Sequence, residues 1–170
     1  GAATVHAGLG GAASTTSVDL SKTYLTWLKR NLHRNQLNSP VHNLIQEDVM
    51  GWLQRCDQRY DLIFLDPPSF SNSKRMDGNL DIQRDHVALI QAAAACLSED
   101  GLLIFSTNRK GFKLDPELQE QFSIEDRTAW SVPKDFQRRT WVHGCWFIQS
   151  LSGCDYSTDK TSVLAKSSPT

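Results

Sequence analysis

The sequence predicts an α/β fold built on a mostly parallel sheet, and two observations predict it. Short apolar runs alternate with amphipathic stretches of helical spacing, the order expected of βαβ units. One of these runs, Asp61-Leu62-Ile63-Phe64-Leu65-Asp66, is apolar throughout its middle and closed by a carboxylate, as a buried parallel strand is. Pro67-Pro68 then stops it, because proline donates nothing to a ladder.

The elements follow in order. Residues 2–11 are small and helix-compatible, and Gly10-Gly11 ends that helix. Residues 14–20 read as a strand ending at Asp19. Ser21 is a natural N-cap, and Leu25, Leu28 and Leu32 then recur at helical spacing up to Asn35. Val41 to Gln46 is the next strand and 48–55 a short helix. After the strand ending at Asp66, a polar loop runs to Gly78, and 81–97 is a long helix carrying Val87, Leu89, Ile90 and Leu97. Asp100-Gly101 turns into a buried strand, Leu102 to Ser106. A short helix around 115–121 and two late strands, Phe122 to Thr128 and Val142 to Ser150, complete the pattern. Residues 1–150 are therefore expected to form one folded domain, and the Ser/Thr/Lys-rich residues 151–170 a mobile tail.

Composition narrows the function. The chain has 170 residues, 39% hydrophobic and 22% charged, which suits one packed domain and excludes disorder overall. No apolar run approaches the ~18 residues of a membrane span, and nothing reads as a secretory leader, so a cytoplasmic location is expected. Cys56, Cys96, Cys145 and Cys154 lack metal-knuckle or redox-pair spacing and are expected to be reduced thiols. With a net charge of −1, any surface for nucleic acid must be local.

In a parallel sheet, ligands bind beyond the carboxyl ends of the strands. Asp19, Asp48 and Asp66 sit at or just after three such ends. A carboxylate after the second strand can accept the ribose hydroxyls of a nucleoside cofactor, although Asp19 also fits a turn beside the Ser21 cap. Asp66-Pro67-Pro68-Ser69-Phe70 is more specific, since two prolines fix φ and stiffen the loop. Phe70 offers a face on which an unstacked base can lie, or packs into the core.

These residues carry a resemblance. Asp66-Pro67-Pro68-Ser69-Phe70 resembles the fourth motif, D-P-P-x-F, of class I RNA methyltransferases. Ser71-Asn72-Ser73-Lys74-Arg75-Met76 and Asp81-Ile82-Gln83-Arg84-Asp85-His86 extend the likeness to the guanine-N7 module of the bifunctional bacterial large-subunit ribosomal RNA methyltransferases. Gly1-Ala2-Ala3-Thr4-Val5-His6-Ala7-Gly8 resembles the tail of that family's first motif. The likeness covers nearly all of residues 1–150. It implies a Rossmann-like class I methyltransferase sheet of seven strands, the last antiparallel, with S-adenosylmethionine as cofactor and 23S ribosomal RNA as substrate. It implies Gly1, Ala2, Asp19, Leu20, Asp48, Val49 and Asp66 around the cofactor, with Asp66, Pro67 and Phe70 at the target base. The first strand of that sheet has no counterpart here, so the chain is expected to be a piece whose upstream methyltransferase and RNA-binding segments lie elsewhere in the full-length protein.

The methylated atom is constrained by chemistry. Relatives that methylate cytosine C5 need a thiolate, which they place in a Ser-Cys-Ser turn after the fifth strand. Here that turn reads Ser106-Thr107-Asn108, and Cys96 and Cys145 are expected in the core. Guanine N7 needs neither base nor nucleophile, only positioning. An exocyclic amine, a small-molecule substrate or a non-catalytic RNA-binding role are the alternatives.

Three loops, 69–76, 106–114 and 132–140, are expected at one sheet edge. They hold Lys74, Arg75, Arg109, Lys110, Lys113, Lys134, Arg138 and Arg139, eight of the 18 basic residues, against the single acid Asp135. Phosphates would approach there, with Trp130 and Trp141 flanking the third loop as stacking surfaces.

Overall fold

The computed structural model describes residues 1–71, 80–136 and 143–151. It divides into two compact units, one of residues 1–55 and one beginning at Cys56.

The first unit is a two-stranded parallel sheet with two helices packed on it. Helix α1 (Ala2–Leu9) leads into β1 (Thr15–Val18), then α2 (Lys22–Arg34), β2 (His42–Ile45) and α3 (Val49–Arg55). β1 and β2 run parallel, with Val18 opposite Ile45. Ser21 caps α2, its Oγ accepting from Tyr24 N–H. The core is small: Val5, Leu28 and Leu32 are buried, with Leu37 and Leu44 packed against them. Gly1 stands here for a packing reason, because a Cβ on it would lie 2.7 Å from Leu28 Cδ1.

The second unit holds a four-stranded sheet in the order β3-β6-β8-β7. β3 (Tyr60–Leu65) is followed by a hairpin of two-residue strands, β4 (Phe70–Ser71) and β5 (Leu80–Asp81), then α4 (Ile82–Ala94), β6 (Leu97–Thr107), β7 (Phe122–Asp126), the one-turn helix α5 (Thr128–Ser131) and β8 (Gly144–Ser150). β3 and β6 are parallel, while β8 is antiparallel to both β6 and β7. Ile82, Leu89 and Ile90 of α4 pack with Leu103, Phe105, Leu118 and Ile148, all fully buried. Each such side chain stabilises the fold by about 1.5–3 kcal/mol relative to exposure. Phe105, Phe112 and Trp146 form an aromatic cluster with ring centroids 5.4–5.8 Å apart.

Three expectations change. β3 was expected to be buried as a central strand, yet Leu62 and Phe64 are 53% and 51% exposed. Among the described residues it is an edge strand, paired only with β6, and Leu62 and Phe64 share its exposed face. The turn expected at Asp100-Gly101 is instead an irregularity inside β6: Tyr60 pairs with Leu97 but Leu62 with Leu102. Gly101 permits this, since a Cβ there would meet Tyr60 O at 2.9 Å. The hairpin β4–β5 and helix α5 were not expected, being too short to show a period. The expected tail lies almost wholly outside the described residues.

Candidate active site

In the first unit, the parallel strands deliver their acids to one edge. Asp19 N–H continues the ladder to Ile45 O at 3.1 Å. Beyond it, Asp19 Oδ1 accepts from Ser21 N–H at 2.7 Å, which fixes the carboxylate as the chain turns into α2. Asp48 Oδ2 accepts from Gly51 N–H at 2.9 Å, in the manner of a cap for α3. Gln46 Nε2 donates to Leu20 O at 3.4 Å and ties the two strand ends together. Asp19, Leu20, Asp48 and Val49 are thus gathered, all partly buried. Thr4 Oγ1 lies 2.8 Å from Ser17 Oγ, so the start of α1, with Gly1 and Ala2, lies toward the same end.

In the second unit, register levels the ends of β3, β6 and β7. Leu65 sits opposite Phe105, Phe105 opposite Trp146, and Trp146 opposite Asp126. As far as they are described, the segments that follow these strands share one edge; residues 72–76 and 137–140 of the expected loops lie outside the described residues. Asp66 leaves β3 exposed, with Pro67 buried beneath it. Ser106 donates to Asp66 Oδ1 at 2.6 Å. Ser69 Oγ donates to Asn108 Oδ1 at 2.9 Å. Arg109 Nη1 pairs with Asp81 Oδ1 at 2.5 Å. These three side-chain links lace the segment after β3, and the hairpin it enters, to the turn after β6. Phe70, at the start of the hairpin, is 54% exposed and not in the core.

Of the basic residues expected to face RNA, Arg109 is partly buried in its ion pair with Asp81. Lys110, Lys113 and Lys134 are exposed. Lys74, Arg75, Arg138 and Arg139 lie outside the described residues, as does Trp141. Trp130 is 71% exposed, edge-on to Phe147 at 5.9 Å, with the Arg127 guanidinium over both rings.

Sequence reasoning missed Ser106 and Asn108 as partners of the Asp66 loop. Their turn drew notice only for lacking cysteine, and no spacing signals a contact across 40 residues. His86, within the motif-like block, proves structural. It is buried, Nε2 accepts from Asp115 N–H at 3.0 Å, and Nδ1 faces the Ile82 and Gln83 carbonyls. Burial pushes the Cys145 thiol up from its ordinary value, so it stays protonated at neutral pH. Among the described residues no cluster of His, Cys, Asp or Glu has the form of a metal site.

A family profile described as "Conserved hypothetical protein 95" matches residues 1–127. The chain belongs to this family. It is also similar to curated proteins named "Ribosomal RNA large subunit methyltransferase K/L". One, from Hahella chejuensis, is 52% identical over 149 residues, covering 88% of this chain and 21% of the relative. Another, from Allochromatium vinosum, is 54% identical over 151 residues, covering 88% and 20%. The chain therefore spans about a fifth of the length of the curated relatives it matches. A crystal structure described as a methyltransferase complexed with SAH shares the fold at a TM-score of 0.68 and 27% identity, over 85% of this chain and 41% of that one. The fold of this family member is thus the Rossmann-like class I methyltransferase type, with parallel strands and the last strand of the chain, β8, inserted antiparallel between β6 and β7.

Proposed function

We propose that this chain is the catalytic part of an S-adenosylmethionine-dependent methyltransferase acting on 23S ribosomal RNA, at guanine N7. The observation that carries the reading is the Asp66-to-Phe70 loop. It leaves a parallel strand end, is stiffened by two prolines, is held by Ser106 and Asn108, and presents an exposed aromatic face. The naming of relatives more than half identical to this chain supports the RNA substrate.

The residues fit the cofactor. Asp19 and Asp48 each spend one acceptor site on a backbone N–H, and a carboxylate has about four, so each keeps capacity for hydroxyl or amine donors. Gly1, Ala2, Leu20 and Val49 would complete that binding surface, and the part of Asp66 in holding the cofactor rests on its D-P-P-x-F likeness. When bound, the cofactor supplies a methyl group on a sulfonium. Phe70 would stack on the extruded base, worth about 1–3 kcal/mol. Alkylation at N7 leaves positive charge on the purine, and a fixed carboxylate at Asp66 stabilises that charge as it develops. No proton needs removal, which suits a site without an evident base. The protonated, buried Cys145 argues against the thiolate route to cytosine C5.

Lys110, Arg109 and Lys134, with Lys74, Arg75, Arg138 and Arg139, are proposed to meet the RNA backbone. The rest of a protein like the K/L relatives would supply further RNA contacts, in the cytoplasm where ribosomes assemble. No described helix is long and apolar enough to cross a membrane.

The deciding experiment is mass spectrometry of 23S ribosomal RNA from cells whose full-length protein carries Asp66→Ala, which leaves any upstream methyltransferase segment intact. Disappearance of one 7-methylguanosine is expected. Loss of an N2-methylguanosine would instead assign Asp66 and the Pro67 carbonyl to holding an amine, and an unchanged methylation pattern would refute the proposal.

A further inference from the structure

Helix α2 buries Leu25, Leu28 and Leu32 and turns the remainder of its surface outward. On that outer side Tyr24 and Trp27 are 56% and 53% exposed, with ring centroids 5.5 Å apart. Their spacing of three places them together on one helix face, and Arg30 and Arg34 continue that face toward the C-terminus. Lys22 and Lys29 lie two residues from Tyr24 and Trp27 and so fall round the helix from this face. All four cations are exposed, and residues 20–46 contain no aspartate or glutamate at all. A paired Tyr and Trp on a helix surface would by itself add only a few tenths of a kcal/mol to helix stability. Folding therefore gives little reason for two large aromatics to face solvent among cations.

We infer that this face of α2 is a second RNA-docking surface, separate from the Asp66 loop, that takes an unpaired stretch of the RNA substrate. Tyr24 and Trp27 stack on bases, and Arg30 and Arg34 neutralise the adjoining phosphates. Aromatic faces beside cations, on a helix that carries no acid of its own, are what single-stranded nucleic acid requires. An apolar face of another protein segment would leave Arg30 and Arg34 without partners, whereas a phosphate backbone uses both features. The inference rests on RNA being the substrate.

The test uses the complete protein and deproteinised 23S ribosomal RNA, with affinity measured across a salt series. Trp27→Ala should weaken binding about tenfold with the salt slope unchanged. Arg30→Glu with Arg34→Glu should weaken it further and reduce the slope by about two or more. Both variants should keep S-adenosylhomocysteine affinity and melting temperature. Parental RNA affinity in both variants would overturn the inference. So would a lowered melting temperature with intact RNA binding, which would mean that another part of the protein covers the face. A parental protein that binds S-adenosylhomocysteine but not RNA would defeat the ribosomal reading itself. Parental binding with indifferent variants removes α2 alone.

Discussion

Asp19 and Asp66 both end a parallel strand, yet they are held in different ways. Asp19 is fixed by its own chain, through the N–H of Ser21 two residues on. Asp66 is fixed by Ser106, 40 residues away on the neighbouring strand. The first arrangement is local turn chemistry, which any strand-to-helix junction can form. The second exists only when β3 and β6 are in register. An acid that need only bind can be positioned by its neighbours in sequence. The proposed role of Asp66 beside reacting atoms demands tighter placement, and Ser106 on a second strand supplies a partner for it.

The largest expected effect breaks the Asp66 side. Asp66→Ala in the complete protein should lower kcat for RNA methylation by about a hundredfold or more, since misplacement near reacting atoms is that costly. A single-turnover assay measures it, and near-normal turnover would remove Asp66 from the chemistry. Next is Ser106→Ala, which leaves the carboxylate in place without its hydroxyl partner. A hydrogen bond to a charged group contributes about 1.5–3 kcal/mol, so kcat should fall roughly tenfold or more, with the KM for cofactor little changed. Ser106→Thr should restore most of it. Failure of that rescue, with normal folding, would mean that the hydroxyl does not position Asp66.

Asp19 sharpens the contrast from the other side. Asp19→Ala should weaken S-adenosylhomocysteine binding about tenfold, as measured by calorimetry. It should also loosen the start of α2, because Ser21 N–H loses its acceptor. Asp19→Asn keeps an acceptor for Ser21 but loses the charge, so it should recover stability without recovering cofactor affinity. Equal recovery of both would make Asp19 a turn residue and nothing more.

The same contrast explains what was legible in the sequence. Strand-end acids and the diproline stop could be read because each is written within a few residues. Ser21 as a cap is of that kind too. Ser106, Asn108 and the Arg109–Asp81 pair could not be read, because their partners lie 28 to 40 residues distant. β3 misled for a related reason: its composition is that of a strand covered on both sides, while the described residues cover one. His86 sits in a motif-like block yet serves as a clip between α4 and the segment before Leu118, a role only the three-dimensional arrangement discloses. His86→Phe should therefore cost about 1–3 kcal/mol of stability by stranding Asp115 N–H, with kcat unchanged.

The smallest expected effect concerns Asp85, which braces the hairpin that Phe70 opens. Its Oδ2 accepts from Asp81 N–H at 2.9 Å, and both carboxylate oxygens meet the Arg84 guanidinium. The Arg84 hydrogen bond, with the Asp81 amide, holds the Asp85 carboxyl below its ordinary 3.8. A carboxyl depressed in the folded state contributes stability above its unfolded value, and that contribution is lost as pH falls through the folded one. Much of the side chain is solvated, so the contribution is about 0.5 kcal/mol. Asp85→Asn should accordingly melt slightly lower than the parent from pH 5 to pH 8, and the gap should close below about pH 4. A gap that stays constant into acid would show that the carboxylate charge does nothing there, and that Asp85 holds Asp81 N–H by shape alone, much as Asp19 holds Ser21.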